Sequence, residues 1–259
     1  MLRSRNAETW RGRSVSRTLV RLADLCRSRR AGLCLRRSAP TPRVRFVTLC
    51  PSRPVSRCQG RNARIFPANS VKIFLKKNAL SLDNHNEIKE HCESIGITYL
   101  CTPFSYKAAK ELMELDVCGF KIGSGEMTDI PSLIKIADLG KPMILSTGMS
   151  TLEEIDATYN ALKDNCKNLS LLNCVSEYPP VYEDINLNVI NVMQKRYPEA
   201  TIGHSDHTPD LYTCFAATAL GEKIIEKHVI LDKKTPGPDQ SVSIDFMDLK
   251  NLVDGIRKI

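Results

Sequence analysis

The sequence lacks several features that would assign the chain to a familiar class of protein. No apolar run approaches the ~18–20 residues of a membrane-spanning helix, so no membrane partner is expected. Aromatic residues make up only 6% of the chain and are not interleaved with its basic residues, which argues against single-stranded nucleic acid as a partner. None of the ten cysteines forms a C-x-x-C pair, so buried free thiols in a reducing compartment are expected.

Acidic residues are nearly absent from the first quarter of the chain. Residues 1–64 contain seventeen arginines, no lysine, and only Glu8 and Asp24 as acids, which gives this segment a net charge of about +15. The whole chain carries +8, so residues 65–259 carry about −7. The sequence pI of 9.0 therefore belongs to an Arg-rich leader, predicted to be disordered, and does not indicate that the body binds nucleic acid.

Two interpretations of this leader stay open. Its Arg- and Ser-rich, acid-poor composition is typical of an organellar transit peptide, which would direct the protein to mitochondria. Alternatively, the segment is translated sequence that does not belong to the native protein, and a cytoplasmic location is then expected. In both cases residues 65–259 are predicted to form the folded domain.

From about residue 70 the chain alternates between apolar runs and amphipathic segments. Six runs are typical of strands buried on both faces, and they read ITYLCTPF, CGFKIGSGE, PMILSTGM, LSLLNCVSEYP, TIGHSDH and KIIEKHVIL. A helical pattern precedes the first run and follows each of the six. Serial βα units predict an α/β fold with a parallel sheet, and we expect an incomplete (β/α)₈ barrel of about six units.

Polar side chains are concentrated at the carboxyl ends of the predicted strands, where barrels build their sites. Lys121 lies within a strand that should be buried, where an ammonium group is costly unless it meets an anion. Hydroxyl groups follow at Ser124, Ser146 and Ser205, with a glycine on each side of Ser124. This set predicts a pocket for a phosphate or carboxylate group.

Two of the five histidines end consecutive predicted strands. His207 and His228 are therefore expected to lie close together, where their imidazoles can bind one divalent cation. His204 is out of phase with His207 in the strand alternation and is expected to point away. A hydrogen-bonded structural role is the alternative for each histidine. Asp239, in the loop TPGPDQ, is either turned toward the same face or part of a tight turn.

In their order along the chain, the motifs FKIGSGE, ILSTGM, SEYP, GHSDHT and EKHVILDKKTPGPD resemble the sialic acid synthase family. This family comprises the N-acetylneuraminate synthases and their legionaminate and pseudaminate relatives, and the resemblance covers roughly residues 70–259. The forms SDHT and PGPD are more similar to the bacterial-type enzymes. The resemblance implies a (β/α)₈ barrel that condenses phosphoenolpyruvate with an N-acetylmannosamine-like sugar, using Mn²⁺ or alternatively Mg²⁺ or Co²⁺.

The same resemblance implies roles for the candidate site residues. His207 and His228 correspond to metal ligands, and Glu126 to a catalytic acid/base or a carboxylate that orients the sugar. Phosphoenolpyruvate is implied to be held by Lys121, Ser124, Ser146 and Ser205, and the sugar side of the site to be lined by Thr102, Tyr178 and Asp239.

Two further βα units of the family, and its C-terminal antifreeze-like domain, have no counterpart in the sequence pattern. A homodimer stays open, although the domain that the family exchanges between subunits is not found. Three functions stay open as well. They are a synthase of the sialic acid type, a non-catalytic remnant that binds metal and phosphoenolpyruvate or a full-length synthase, and a different phosphoenolpyruvate-condensing or aldolase barrel.

Overall fold

The computed structural model describes residues 79–166, 168–234 and 237–259. The predicted leader, residues 1–64, lies outside the described residues. Within the described ranges, five parallel strands form one sheet in the order β1-β2-β3-β4-β5, so each strand pairs with the next one along the chain. The strands are β1 Phe120–Ile122, β2 Met143–Ser146, β3 Leu169–Cys174, β4 Thr201–Asp206 and β5 Ile225–Lys227.

Helices precede the first strand and follow every strand, as serial βα units require. They are α1 Leu82–Ser94, α2 Tyr106–Glu114, α3 Ile130–Ala137, α4 Leu152–Leu162, α5 Tyr182–Ile185, α6 Asn188–Arg196, α7 Tyr212–Ala219 and α8 Phe246–Ile256. Two 3₁₀ turns, Ser124–Glu126 and Gln240–Val242, follow β1 and β5. No helix in the described part of the chain is long and apolar enough to cross a membrane.

Local sequence explains where several helices begin. Ser81 caps α1 by accepting a hydrogen bond from the Asn84 amide, and the Asn84 side chain accepts one from the Ser81 amide in return. Thr151 and Glu154 form the same reciprocal capping box at the start of α4. Each box satisfies two backbone amides that the helix itself leaves unpaired, so the loop before the helix is fixed in place.

The first of the six predicted strands is present only as a single bridge. Cys101 pairs in parallel with Phe120, and the Lys121 amide donates to the Cys101 carbonyl oxygen at 3.3 Å. The segment 97–104 therefore lies beside β1 in the expected place without forming a regular ladder. A second bridge, between Val229 and Ile244, extends the β5 side of the sheet.

The strands are buried on both faces, as their continuous apolar runs predict. All residues of β1, β2, β3 and β5 are buried, and in β4 only Thr201 is exposed. Alternate residues of the strands pack against the helices in the main core, among them Phe120, Ile122, Met143, Leu145, Leu169, Leu171, Ile202 and Ile225. The residues between them point to the opposite, inner face.

The sheet curls so that its first and last strands face each other. Five strands spaced ~4.8 Å apart in a flat sheet would place β1 roughly 19 Å from β5. Instead, the Lys121 ammonium of β1 lies 3.4 Å from the Glu226 carboxylate of β5. The sheet is therefore a partial barrel, and the side chains of its inner face converge.

Candidate functional site at the carboxyl ends of the strands

A buried cluster of polar groups joins three strands inside the curled sheet. The Lys121 ammonium donates to the Ser146 hydroxyl and to the Ile122 carbonyl oxygen, both at 2.8 Å. The Ser146 hydroxyl in turn donates to the Glu226 carboxylate at 3.2 Å. The buried lysine therefore meets an anion, and this anion is a carboxylate of the protein that sequence reasoning did not identify.

This cluster can respond to an anionic ligand. The side chains of Lys121 and Glu226 are only 2% and 6% exposed, so each charge has lost its hydration and depends on the other. A phosphate or carboxylate that entered the partial barrel would compete with Glu226 for the ammonium group. The Lys121 charge and the Ser146 hydroxyl are contacts of the kind that a pocket for such an anion requires.

Loops after three neighbouring strands converge next to this cluster. A Cβ atom added at Gly148 would lie only 2.8 Å from the Ser124 hydroxyl oxygen and 3.1 Å from the Cys174 sulfur, and it would overlap the Ser176 hydroxyl. The Ser124 hydroxyl also donates to the Cys174 sulfur at 3.6 Å. Only a residue without a side chain allows this approach, which brings two hydroxyls and a thiol together.

The Cys174 thiol forms a pair with the His207 ring. Its sulfur lies 4.0 Å from His207 Nδ1. Burial would raise the pKa of Cys174, but the neighbouring His207 imidazolium outweighs it and lowers that pKa to about 6. Conversely, burial would lower the pKa of His207, while Cys174 and the Val175 carbonyl raise it. The thiol and the ring therefore each favour the charged form of the other.

The orientation of His207 leaves one ring nitrogen directed into the partial barrel. Nδ1 donates to the Val175 carbonyl oxygen at 2.7 Å, so in the neutral ring the lone pair is on Nε2. The Tyr178 hydroxyl lies 2.9 Å from Nε2, and it donates to that lone pair when the ring is neutral. A backbone carbonyl bonded to the other ring nitrogen is the arrangement found around metal-binding histidines.

His228 lies beside His207, as the sequence predicted. The ring centroids are 5.2 Å apart, and the Tyr178 ring packs edge-on against His228 at 5.7 Å. Burial, with the positive charges of His207 and Lys227, holds the pKa of His228 well below its usual range. The ring is therefore neutral at physiological pH, and a neutral imidazole can ligate a cation. The Asp239 carboxylate lies 3.9 Å from His228 Nδ1.

The histidine pair fits a divalent cation as two ligands of an open site. The two imidazoles are adjacent and His228 is neutral. A cation at Nε2 of His207 would replace the proton of the charged ring, because the Val175 carbonyl keeps the other proton on Nδ1. Within the described residues no group of three or more histidine, cysteine, aspartate or glutamate side chains is arranged around a metal position. Among the described residues, an ion bound by His207 and His228 would thus leave positions for substrate oxygens and water.

The other residues singled out in the sequence occupy different parts of the same end of the sheet. Ser205 is buried and pairs in register with Glu226, so it belongs to the inner row. The Thr102 hydroxyl is buried and has no hydrogen-bond partner among the described residues. Glu126 ends the 3₁₀ turn after β1, and its carboxylate packs against Gly123, where an added Cβ atom would lie 2.9 Å away.

His204 points to the outer face of the sheet, as the alternation predicted. Its Nδ1 lies 3.2 Å from the Asn173 carbonyl oxygen, and its Nε2 lies 3.7 Å from the Asp206 carboxylate. Its neighbour Asp206 forms an ion pair with Lys227 on this same outer face. His204 is therefore separated from His207 by the sheet.

Two residues of the inner face were missed by sequence reasoning. Glu226 lies within the apolar run IIEKHVIL, two residues before His228, and the strand alternation places both on one face. This two-residue spacing could have predicted that Glu226 lies on the inner face with His228. Cys174 was interpreted as an ordinary buried thiol because its partner His207 lies on another strand, 33 positions further along the chain.

Known proteins similar to this chain match it over most of its length. The NeuB family model matches residues 58–259. The chain is 41% identical over 188 residues to the N,N'-diacetyllegionaminic acid synthase of Campylobacter jejuni, covering 71% of this chain and 56% of that protein. It is 37% identical over 179 residues to the human N-acetylneuraminate-9-phosphate synthase, covering 69% and 50%. The chain thus spans about half the length of these relatives.

Solved structures support the same relationship at the level of the fold. The N-acetylneuraminic acid synthetase of Leptospira borgpetersenii superposes with a TM-score of 0.71 at 31% identity, covering 75% of this chain and 69% of that one. A 3-deoxy-D-arabino-heptulosonate 7-phosphate synthase of Thermotoga maritima, at 17% identity and a TM-score of 0.62, shares the fold alone. With a family match over most of its length, the chain belongs to the NeuB family.

Proposed function

We propose that this chain carries the phosphoenolpyruvate-binding and metal-binding part of a synthase that joins phosphoenolpyruvate to an N-acylmannosamine-like sugar, forming a sialic-acid-type product. The observation that carries the proposal is the adjacency of two groups inside the partial barrel. One is the buried Lys121–Ser146–Glu226 cluster, and the other is the histidine pair His207 and His228. They are adjacent because Glu226 and His228 lie two residues apart, on the same face of the chain at β5. Relatives that make sugar acids of this class support the chemistry.

Phosphoenolpyruvate matches the anion pocket because it carries both a phosphate and a carboxylate. Lys121 would release Glu226 and bind one of these groups, and the hydroxyls of Ser124, Ser146 and Ser205 would donate to the remaining oxygens. Charge-assisted hydrogen bonds in a site shielded from water are strong and directional. These residues would therefore hold the enol carbon in one orientation toward the sugar.

The sugar would bind on the side of the histidine pair. Tyr178 is 44% exposed and extends from the loop after β3, and the Thr102 hydroxyl is buried without a partner in the described part of the chain. Together with Asp239 and Glu126, these groups are suited to the hydroxyl and amide groups of an N-acylmannosamine. A Mn²⁺ ion, or Mg²⁺ or Co²⁺ in its place, held by His207 and His228 would act as a Lewis acid on the sugar aldehyde.

The chain's own residues would then manage the protons and the leaving group. As carbon 3 of phosphoenolpyruvate bonds to the aldehyde carbon of the sugar, carbon 2 would become electron-poor and water would add to it. The released Glu226 carboxylate lies at the inner face beside Ser205, in a position to accept the proton of that water. The tetrahedral carbon 2 would then break its bond to the phosphate oxygen, which releases phosphate and leaves the keto acid. Lys121 would stabilise the departing phosphate by its charge. Glu126, at the edge of the site, would orient the sugar or exchange a proton with it.

The test is turnover by the full chain. Phosphoenolpyruvate, N-acetylmannosamine and MnCl₂ are supplied together, and phosphate release is measured alongside the mass of the sugar acid product. N-acetylmannosamine 6-phosphate and a 2,4-diacetamido sugar are compared as alternative acceptors. We expect phosphate release that depends on both substrates, that chelation stops, and that Lys121→Met abolishes while the exposed Lys195→Met retains it.

The same experiment distinguishes the alternative functions. Binding of Mn²⁺ and phosphoenolpyruvate without phosphate release would favour a non-catalytic partner of a full-length synthase. Phosphate release with a simple aldose phosphate, and none with any N-acyl sugar, would favour a different phosphoenolpyruvate-condensing barrel. Absence of both binding and turnover would contradict the proposal.

A further inference from the structure

A second buried charge cluster lies on the outer face of the sheet, directly behind the histidine pair. The Lys227 ammonium donates to the Asp206 carboxylate at 2.6 Å, and these side chains are 0% and 1% exposed. Lys227 also donates to the Thr208 carbonyl oxygen. Asp206 accepts further hydrogen bonds from the Thr208 amide at 3.1 Å, the Thr208 hydroxyl at 2.9 Å and the Cys214 thiol of α7 at 3.3 Å.

The members of this cluster alternate along the chain with the histidines of the inner face. Asp206 immediately precedes His207, and Lys227 immediately precedes His228. Asp206 and Lys227 are also direct partners in the parallel register of β4 and β5. Each strand therefore places one charged residue outside the sheet and the next residue, a histidine, inside it.

We infer that the Asp206–Lys227 ion pair positions His207 next to His228. The pair joins the ends of β4 and β5 on the outer face of the sheet, so that the two imidazoles face one point inside the partial barrel. This inference rests on the proposed metal-binding role of the histidines. Asp206 and Lys227 are positioning residues, because neither reaches the inner face.

The geometry of the strand ends explains why an ion pair is needed to fix the separation of the two histidines. The regular pairing of β4 and β5 covers only three residue pairs and stops at Asp206 and Lys227. His207 and His228 lie just beyond it, where backbone pairing does not fix their separation. A slip of two residues would keep every side chain on its own face but would separate the histidines, and it would also break the ion pair.

The hydrogen bonds to Thr208 extend this control past the strand end. Thr208 follows His207, and its amide, hydroxyl and carbonyl groups are all bonded to Asp206 or Lys227. The residues on both sides of His207 are therefore tied to the residue that precedes His228. The Thr208 hydroxyl also lies 3.2 Å from that of Thr213, which connects the segment to α7.

Stability alone is a poor explanation for the pair. Two charges removed from water lose hydration energy that their mutual attraction roughly offsets, and apolar side chains of similar size would hold the same space equally well. Apolar side chains would not form a directional bond between one specific residue of β4 and one of β5. The main contribution of the pair is therefore to fix the position of β4 relative to β5.

The experiment measures Mn²⁺ affinity of the full chain by electron paramagnetic resonance of the free ion, with no substrate present. Asp206→Asn is expected to weaken Mn²⁺ binding at least tenfold, while phosphoenolpyruvate binding measured without metal changes less than twofold. Leu162→Ala, a cavity variant in α4 that lowers Tm, is the matched control for general destabilisation and is expected to keep the wild-type Mn²⁺ affinity. All measurements are made well below the lowest Tm.

A double variant keeps the test decisive if Asp206→Asn does not fold. Asp206→Asn with Lys227→Met removes both charges and is expected to recover Tm without recovering Mn²⁺ affinity. Mn²⁺ affinity within twofold of wild type, in either variant, would overturn the inference. If the wild-type chain itself binds no Mn²⁺, the proposed metal site fails, which is a result distinct from loss of binding only in the variants.

Discussion

The Lys121 ammonium lies 3.4 Å from the Glu226 carboxylate, and this contact joins the first strand of the sheet to the last. It crosses the inside of the partial barrel and is shared with the Ser146 hydroxyl of β2. The contact therefore depends on the curl of the sheet, and it also balances the buried charges of the candidate site. A ligand that separates Lys121 from Glu226 would change the contact between β1 and β5 and the charge balance of the site.

Lys121→Met should remove phosphoenolpyruvate binding and also destabilise the protein. The substitution leaves the Glu226 carboxylate buried without its cation, which typically costs about 3–5 kcal/mol. Isothermal titration with phosphoenolpyruvate measures the first effect, and urea unfolding measures the second.

The double variant Lys121→Met with Glu226→Gln separates the two effects. Because it removes both charges, it should recover most of the lost stability and still fail to bind phosphoenolpyruvate. Recovery of binding in the double variant would show that the ammonium is not the anion ligand.

His207→Ala should abolish Mn²⁺ binding, because one of the two proposed histidine ligands is lost. Lys121→Ala should weaken phosphoenolpyruvate binding more than Mn²⁺ binding, since Lys121 belongs to the Lys121–Ser146–Glu226 cluster and not to the histidine pair. The affinities for Mn²⁺ and for phosphoenolpyruvate are measured by titration of each variant. Unchanged Mn²⁺ affinity without His207 would refute its assignment as a ligand.

Tyr178→Phe should tighten Mn²⁺ binding. In the neutral ring of His207 the Tyr178 hydroxyl donates to Nε2, and this hydroxyl has to leave before a cation can bind there. A net hydrogen bond of about 0.5–1.5 kcal/mol corresponds to roughly 2–10-fold in affinity. Weaker Mn²⁺ binding in Tyr178→Phe would instead indicate that the phenol helps to hold the ion.

Gly148→Ala should weaken phosphoenolpyruvate binding by about tenfold, because the added methyl group displaces the Ser124 and Ser176 hydroxyls. Gly125→Ala is the matched control, since nothing lies within 4 Å of a Cβ atom built at that position. Both variants are compared by titration and by Tm. Equal effects of the two substitutions would count against the close approach at Gly148.

Glu222→Gln should stabilise the protein at neutral and alkaline pH. Burial raises the pKa of Glu222 to about 8, although a hydrogen bond from Thr218 opposes the shift. The folded state therefore keeps a proton that the unfolded state releases near its ordinary pKa of 4.5, and stability falls as pH rises from about 4.5 through 8. Glutamine removes this dependence, with a gain of about 1–3 kcal/mol at pH 8.

The measurement for Glu222→Gln is Tm as a function of pH. The difference from wild type should be near zero at pH 4.5 and reach several degrees at pH 8. Glu199→Gln, a substitution of an exposed carboxylate, serves as the control and should leave the profile unchanged. A constant difference across the whole range would assign the gain to packing and not to the proton.

Most of the element order could be predicted from the sequence. Continuous apolar runs such as LSLLNC and the amphipathic segments between them are local patterns, and they correctly placed all five strands and every helix except the short α5. The first predicted strand was wrong as a regular strand, because segment 97–104 forms only the Cys101 bridge. Its apolar pattern shows that the segment is buried, but pairing depends on the neighbouring strand.

The site could be predicted only in part. Parallel strands end at one edge of a sheet, so His207 and His228 were expected to be neighbours, and they are. The partner of Lys121 was not found, because Glu226 lies 105 positions away on the far side of the curl. The pairing of Cys174 with His207 was missed for the same reason.

The sequence by itself determined the order of βα units, the inner and outer faces of each strand, and the motifs of the NeuB family. Each of these depends on residues that are close along the chain, where spacing and side-chain type are sufficient. Only the tertiary structure decided which charges meet. The side chains of β1 and β5 meet only because the whole sheet curls. This curl results from the packing of many side chains, so the sequence of a single segment does not predict it.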